Sequence, residues 1–324
     1  MLNNPRMFSK GLVRNGHDVL EFSYKDQLMG NSPFRSKGFS LWYGKKKTDN
    51  SLLKLARHYQ PDVLLITTFK LFDTHILKRL KESLPRAVIV CWYGDMNDGV
   101  DPSVAKIGRE CDWFLSTSGG ELLRQYKQAG IPHCAFLPNP CDADIQFPQT
   151  VPDKFRSDIL FTGKLAHGKA GQDTMRRRLI EELTLKKGMT VWGCLGRPKV
   201  EGIDYLRAIQ GAKIALSINA YNEVRFYHSD RLTHYLACGS FTLVKYVPGS
   251  ELLFEDGRHL RYFRTMEECF DLIDYYLAHD SLRTKIAGQG YEHIHRNYNG
   301  QTLSKYIIDL VQTGGYDPLW GEIA

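Results

Sequence analysis

The sequence has no run of eighteen apolar residues, so no segment is long enough to cross a bilayer as a helix. It has no Cys-x-x-Cys pair and no histidine at zinc spacing, which excludes the common structural zinc sites. The cysteines are odd in number and scattered: Cys91, Cys111, Cys134, Cys141, Cys194, Cys238 and Cys269. Several fall inside predicted strands, and all are expected as buried free thiols in a reducing cytosol. There is no internal repeat and no low-complexity tract. The basic clusters are short and separate and carry no basic-aromatic recognition motif, so nucleic acid is not an expected partner. The N-terminus, MLNNPRMFSKGLVRNG, has no apolar core and is not expected to act as a signal peptide.

What is present is an ordinary soluble composition with a positive excess. The 324 residues are 43% hydrophobic and 24% charged, long for one core and comfortable for two. A net charge of +7 suits anionic partners such as nucleotide diphosphates or acidic lipid surfaces.

The first half alternates helix and strand. Helices are expected at 4–15, 51–59, 73–83 and 121–128, with another starting near Pro102. Strands are expected over 18–24, 62–67, 87–92, 111–116 and 134–137. Residues 25–48 read as irregular, basic and aromatic. Cys141 to Ser157, with two prolines and no period, reads as a linker. The alternation restarts with strands at 158–162, 189–192 and 213–218 and helices at 173–186 and 203–210. Helices close the chain at about 266–278, 281–297 and 300–312. Continuous apolar strands between helices predict parallel sheets covered on both faces. Such a domain normally opens on a strand, whereas this chain opens on a helix. Either the sheet lacks that strand or the start codon lies upstream.

Ser217 to Val244, SINAYNEVRFYHSDRLTHYLACGSFTLV, is the most informative stretch. It reads as strand end, loop, short helix, glycine turn, strand. Ser229 and Asp230 are good N-caps for a helix starting near Arg231, and Leu232, Tyr235 and Leu236 give it one apolar face. Free N–H groups, the positive dipole end and Arg231 then make a diphosphate site. An ordinary strand-helix-strand crossover explains the same local pattern.

The stretch Arg231 to Gly239 resembles the R-x-x-E-x-x-A-x-G motif of GT-B glycosyltransferases of the group 1 type, in particular their spore-maturation-protein-like branch. The tail continues the likeness over about 160–310: ELLFEDG at Glu251 to Gly257, Tyr262-Phe263, ECFDLIDYYL at Glu268 to Leu277, and RTKIAGQG at Arg283 to Gly290. One position departs. His234 stands where the family carries a ribose-holding glutamate, and the residue eight earlier is Phe226 rather than a second glutamate. The departure leaves the stereochemistry and the nucleotide preference open. The resemblance implies an α/β fold of two Rossmann-like parallel-sheet domains facing a cleft. The expected units are an acceptor-side domain at 1–145, a linker at 146–157, a nucleotide-sugar domain at 158–300, and a C-terminal helix and tail at 301–324 returning to the first domain.

Ligands in open α/β sheets sit at the carboxyl ends of strands, and that rule sorts the candidates. On the donor side these are Gly163, Lys164, Lys169, Gly193, Asn219, Arg225, His228, Ser229, Asp230, Arg231 and His234. Arg231 is expected to offset negative charge on the leaving group. On the acceptor side, Asp95 follows a strand and is a candidate base, or else a cap of the next helix together with Asn97 and Asp98. Thr67, Lys70 and Ser116 are candidate acceptor contacts. Ser32 to Lys47 interleaves Phe34, Phe39, Trp42 and Tyr43 with basic residues. That composition suits an anionic membrane face, an acceptor contact, or a solvated loop packed on the domain.

The reading is a cytoplasmic enzyme, peripheral at the inner membrane face in the extended form of that reading. It moves a sugar from a nucleotide diphosphate sugar to a glycan, lipid-linked or protein-linked hydroxyl. It uses no cofactor and no metal, because Arg231 and a helix dipole replace one. Two alternatives stay open. GKLAHGKA at Gly163 to Ala170 nearly fits a phosphate loop, with Ala170 where a magnesium-binding hydroxyl belongs. His234 would also fit an inactive glycosyltransferase-like binding protein.

Overall fold

Two parallel sheets organise the chain, and the strands that build them are its most continuous apolar runs. The structure is a computed structural model in which residues 4–32, 39–67, 71–96, 99–165, 174–315 and 320 are described. The first part runs α1 (Asn4–Arg14), α2 (Tyr24–Asn31), α3 (Phe39–Tyr59), β1 (Val63–Ile66), α4 (Thr74–Ser83), β2 (Val88–Tyr93), α5 (Pro102–Gly108), β3 (Trp113–Ser116), α6 (Gly120–Gln128) and β4 (Cys134–Phe136). The second runs β5 (Ser157–Thr162), α7 (Thr174–Lys187), β6 (Thr190–Trp192), α8 (Gly202–Gln210), β7 (Ala212–Ser217), α9 (Asp230–Ala237), β8 (Thr242–Lys245), β9 (Arg261–Phe263), α10 (Met266–Ala278), α11 (Asp280–Asn297) and α12 (Gly300–Thr313).

The first sheet has the order β1-β2-β3-β4 and the second β6-β5-β7-β8-β9, with every pairing parallel. Parallel pairing requires helical crossovers, and these bury both sheet faces. Ile159, Leu160 and Phe161 of β5 and Ile214, Ala215 and Leu216 of β7 are accordingly buried. No helix among the described residues is long and apolar enough to cross a membrane.

The sequence expectations need four corrections. Residues 18–23 form no strand and pair with none among the described residues, and Leu20 is exposed. With no sheet neighbour to bury its second face, DVLEFSY gains nothing from a ladder. Its last residue instead opens α2, where Tyr24 and Leu28 share a buried face. Second, the segment expected to be irregular up to about 48 is helical from Phe39 onward. Lysine has good helix propensity, and Lys45 pairs with Asp49 one turn on. Lys45 also meets Asp73, so this lysine is not a free surface charge. Third, Asp101 caps α5 by accepting from the Ser103 and Val104 N–H groups, a role assigned above to Asp95, Asn97 or Asp98. Fourth, Cys91 and Cys111 are joined in a disulfide rather than free, while Cys134, Cys141, Cys194, Cys238 and Cys269 are buried free thiols.

The two halves share a core: one buried cluster joins Phe8, Val90 and Trp92 of the first to Leu236, Ala237 and Val244 of the second. Phe8 of α1 stands edge-on to Trp92 of β2 with centroids 5.2 Å apart. Phe136 of β4 meets Phe226 of the β7–α9 loop at 5.0 Å. Helix α12 lies against α1 at backbone contact distance: a Cβ on Gly11 would fall 2.0 Å from the Gly300 carbonyl oxygen. Ser304 Oγ donates to the Phe8 carbonyl at 2.9 Å, which ties the same two helices.

Candidate functional site

The carboxyl ends of β5 and β6 and the first turn of α9 meet at a cavity of about 200 Å³. Thr162, Gly163, Lys164, Trp192, Gly193, Lys199, Val200, Tyr205, Asp230 and Arg231 line it. Three elements converge there because α9 is bolted to β5. Tyr235, one turn into α9, accepts at its hydroxyl from the Thr162 N–H at 2.9 Å. Arg231 completes the tie: Nη1 donates to the Thr162 carbonyl at 3.1 Å and Nη2 to the Ile218 carbonyl at 2.6 Å. Its guanidinium sits 4.8 Å over the Phe161 ring, and its Nε is buried with no partner. Arg231 therefore lines the cavity, but its charge is aimed at the two strand ends as well as at any ligand. Gly163 is needed beside it. Its φ is +143°, and a Cβ there would stand 2.8 Å from Arg231 Nη1.

The other expected donor residues separate into those at the cavity and those that hold the loop behind it. Lys164, Gly193 and Asp230 line the cavity. Lys169 lies outside the described residues, as do Lys70, Asn97, Asp98 and most of the possible phosphate loop. Asn219 is buried and spends its side chain internally: Nδ2 donates to the Tyr227 carbonyl at 3.2 Å and Oδ1 accepts from the Ser229 N–H at 3.0 Å. It shapes the loop into α9 and is not free for a ligand. Ser229 is the N-cap residue but makes no side-chain cap bond, and its hydroxyl is buried without a partner. Arg225 does not line the cavity. It packs over Phe226 at 4.3 Å, its side chain crosses Gly120 of α6 and Gly249, and its carbonyl accepts from the Gly119 N–H. That places it in the contact between the halves. Lys199 and Tyr205 were not among the expected residues, although the strand-end rule extended along the β6–α8 loop points to Lys199.

Both histidines are buried. His234 Nδ1 shares a 3.2 Å hydrogen bond with the Tyr205 hydroxyl, and its Nε2 has no partner. Burial lowers its pKa. His228 donates from Nδ1 to the Phe226 carbonyl at 3.0 Å, stands edge-on to Phe254, and leaves Nε2 unpartnered. Burial holds its pKa down at about 4. The unfolded chain protonates this histidine near 6.5, before the folded one does. Stability is therefore lost as pH falls from about 6.5 to about 4, by on the order of 3 kcal/mol from this group. Urea midpoints measured across that range should fall with acid, and His228→Asn should flatten the profile. An unchanged slope in the variant would remove His228 from the acid response.

On the first sheet, Asp95 follows β2 and is exposed, with Oδ1 accepting from the Met96 N–H at 2.9 Å. Burial pushes the Tyr227 hydroxyl pKa up, and Asp95 and Asp230 both push it further. Tyr227 thus feels the charge of a carboxylate from each half. Thr67 follows β1 and is half-buried. Ser116 is corrected as an acceptor contact: it is 1% exposed, and its hydroxyl accepts from the Ser118 N–H at 3.1 Å. A second cavity of about 200 Å³ lies between α1, α12 and the linker. There Lys10 and Arg14 are already paired with Asp142 and Asp144, so it offers little free charge.

Parallel four- and five-stranded sheets, with a cavity at the strand ends of the second, define the GT-B arrangement of two Rossmann-like domains. Residues 174–309 match the family model described as "Glycosyl transferase-like". The Thermosynechococcus elongatus sucrose-phosphate synthase is similar in structure (TM-score 0.60, 12% identity, 95% of this chain and 92% of that one). So is a glycosyltransferase from Rickettsia africae (0.59, 12%, 95% and 93%). Anabaena HepE, solved in complex with UDP and glucose, matches at 0.56 with 11% identity over 82% of each chain. No curated protein sequence matches the chain. At these identities the likeness establishes the fold.

Proposed function

We propose that this protein transfers a sugar from a nucleotide diphosphate sugar to an acceptor hydroxyl. The observation that carries the reading is the strand-end cavity walled by Lys164, Lys199, Arg231 and the N-terminus of α9. Cations and a helix N-terminus suit a diphosphate. The UDP and glucose held by HepE on the same fold support a sugar-nucleotide donor. In this reading the acceptor oxygen bonds to the anomeric carbon as the bond to the β-phosphate oxygen breaks. The electron pair stays on that oxygen, where Arg231 and the α9 dipole offset its charge. Asp95 takes the acceptor proton. Residues 1–145 are the acceptor side, 146–157 the linker, 158–300 the donor side, and 301–324 return to the first. Membership of the group 1, spore-maturation-protein-like branch, a glycan, lipid-linked or protein-linked acceptor, and a cytoplasmic site peripheral to the membrane complete the proposal.

Binding of UDP-glucose and GDP-mannose by calorimetry, followed by nucleotide release with saccharide acceptors, tests it. Failure of every donor to bind would end the reading. Three cations at the cavity supply the charge that a divalent ion would otherwise bring. Turnover is therefore expected to persist in excess EDTA. Loss of activity restored by magnesium or manganese would refute metal independence and favour the phosphate-loop alternative.

A further inference from the structure

We propose that the Asp230 carboxylate sorts the ligands of the donor cavity by charge. It favours the intact sugar nucleotide over the nucleoside diphosphate that transfer leaves behind, and the inference rests on the donor-binding reading above. Asp230 is the one carboxylate among the described residues lining a cavity that also presents Lys164, Lys199 and Arg231. Its natural partner is turned away, because the Nη groups of Arg231 donate to the Thr162 and Ile218 carbonyls. Its charge also reaches the groups around it: burial is the main cause of the raised Tyr205 and Tyr227 pKa values, with Asp230 adding to both, and at His228 Asp230 partly offsets the lowering by burial. A carboxylate in the first turn of α9 is tolerated without any ligand, since it complements the helix dipole. That accounts for its stability in place and leaves its effect on ligands to be decided by their charge.

Transfer changes that charge. A diphosphate esterified at both ends carries two negative charges. When the anomeric carbon leaves, the electron pair stays on the β-phosphate oxygen and a third charge appears, titrating at about pH 6. The three cations attract donor and product alike. Asp230 opposes both and opposes the product more, which shifts the competition toward fresh donor and speeds release. The carboxylate is exposed, so its repulsion of one added charge is screened and corresponds to about a five-fold change in relative affinity.

The test is calorimetric titration of wild type, Asp230→Asn and Asp230→Glu with two pairs, UDP-glucose with UDP and GDP-mannose with GDP, at low salt. At pH 7.5, Asp230→Asn should shift the ratio of dissociation constants about five-fold toward the nucleoside diphosphate. Asp230→Glu should keep the wild-type ratio. At pH 5, where the terminal phosphate gains a proton, wild type and Asp230→Asn should converge. An Asp230→Asn ratio equal to wild type at pH 7.5, or equal weakening of both members of a pair, overturns the inference while leaving donor binding intact. A wild-type protein that binds no member of either pair overturns the donor-binding reading itself.

Discussion

Arg231→Ala is expected to lower the unfolding free energy by about 3–5 kcal/mol and to abolish detectable binding of nucleoside diphosphate. The Thr162 and Ile218 carbonyls at the ends of β5 and β7 both lose their donor. A buried acceptor left without its partner costs about 1–3 kcal/mol, and the lost cation-ring contact with Phe161 adds to that. Binding falls with stability because the same guanidinium fixes the first turn of α9 against the cavity floor. Arg231→Lys keeps the charge but not the planar fork, so it should recover part of the binding and little of the stability. Urea unfolding and calorimetry on the three proteins separate the effects. An Arg231→Ala protein with a wild-type urea midpoint would show that the guanidinium is not the tie between α9 and the sheet. Loss of nucleoside affinity equal to that of the diphosphate would remove it from phosphate binding.

Gly300→Ala should cost at least about 3 kcal/mol, near the upper end for overpacking a core. Its new Cβ would fall 2.1 Å from the Met7 carbonyl oxygen, a backbone atom that cannot swing aside. The result would be separation of α12 from α1, with loss of the Ser304 bond to Phe8. Gly288 of α11 is the control, since a Cβ there meets nothing within 4 Å. Gly288→Ala should stabilise by about 0.5–1 kcal/mol through helix propensity alone. Thermal unfolding of both variants decides the matter, and a Gly300→Ala protein as stable as wild type would show that the two helices can part without loss.

The strands were legible because each is a short apolar run bounded by turn residues, and two-sided burial needs nothing subtler. The start of α9 was legible for the same local reason: Ser229 stands at the cap, and Leu232, Tyr235 and Leu236 fall on one buried face. Residues 18–24 misled because Val, Phe and Tyr favour strands, yet a strand exists only where a neighbour accepts its ladder. The second half of α3 was expected at 51–59, but its first half was missed because it has lysines and aromatics in place of an apolar stripe, and its register is held by contacts such as Lys45 with Asp49 and Asp73.

The sequence by itself determined the α/β architecture of two parallel-sheet domains and directed attention to the strand ends of the second. Those follow from periodicity and from the rule that strand ends face ligands. Only the tertiary structure decided which polar side chains reach the cavity there. Asn219 and Arg225 have the right chemistry and the right neighbourhood in the chain. The first is used up in shaping the β7–α9 loop, and the second lies in the contact between halves. On the acceptor side, Ser116 is likewise sealed under its own loop. Lys199 and Tyr205 come to the cavity from the next loop and helix. The physical reason is that hydrogen-bond satisfaction of buried groups is a three-dimensional condition. A residue's type says what it can donate or accept, and the packed fold says to whom.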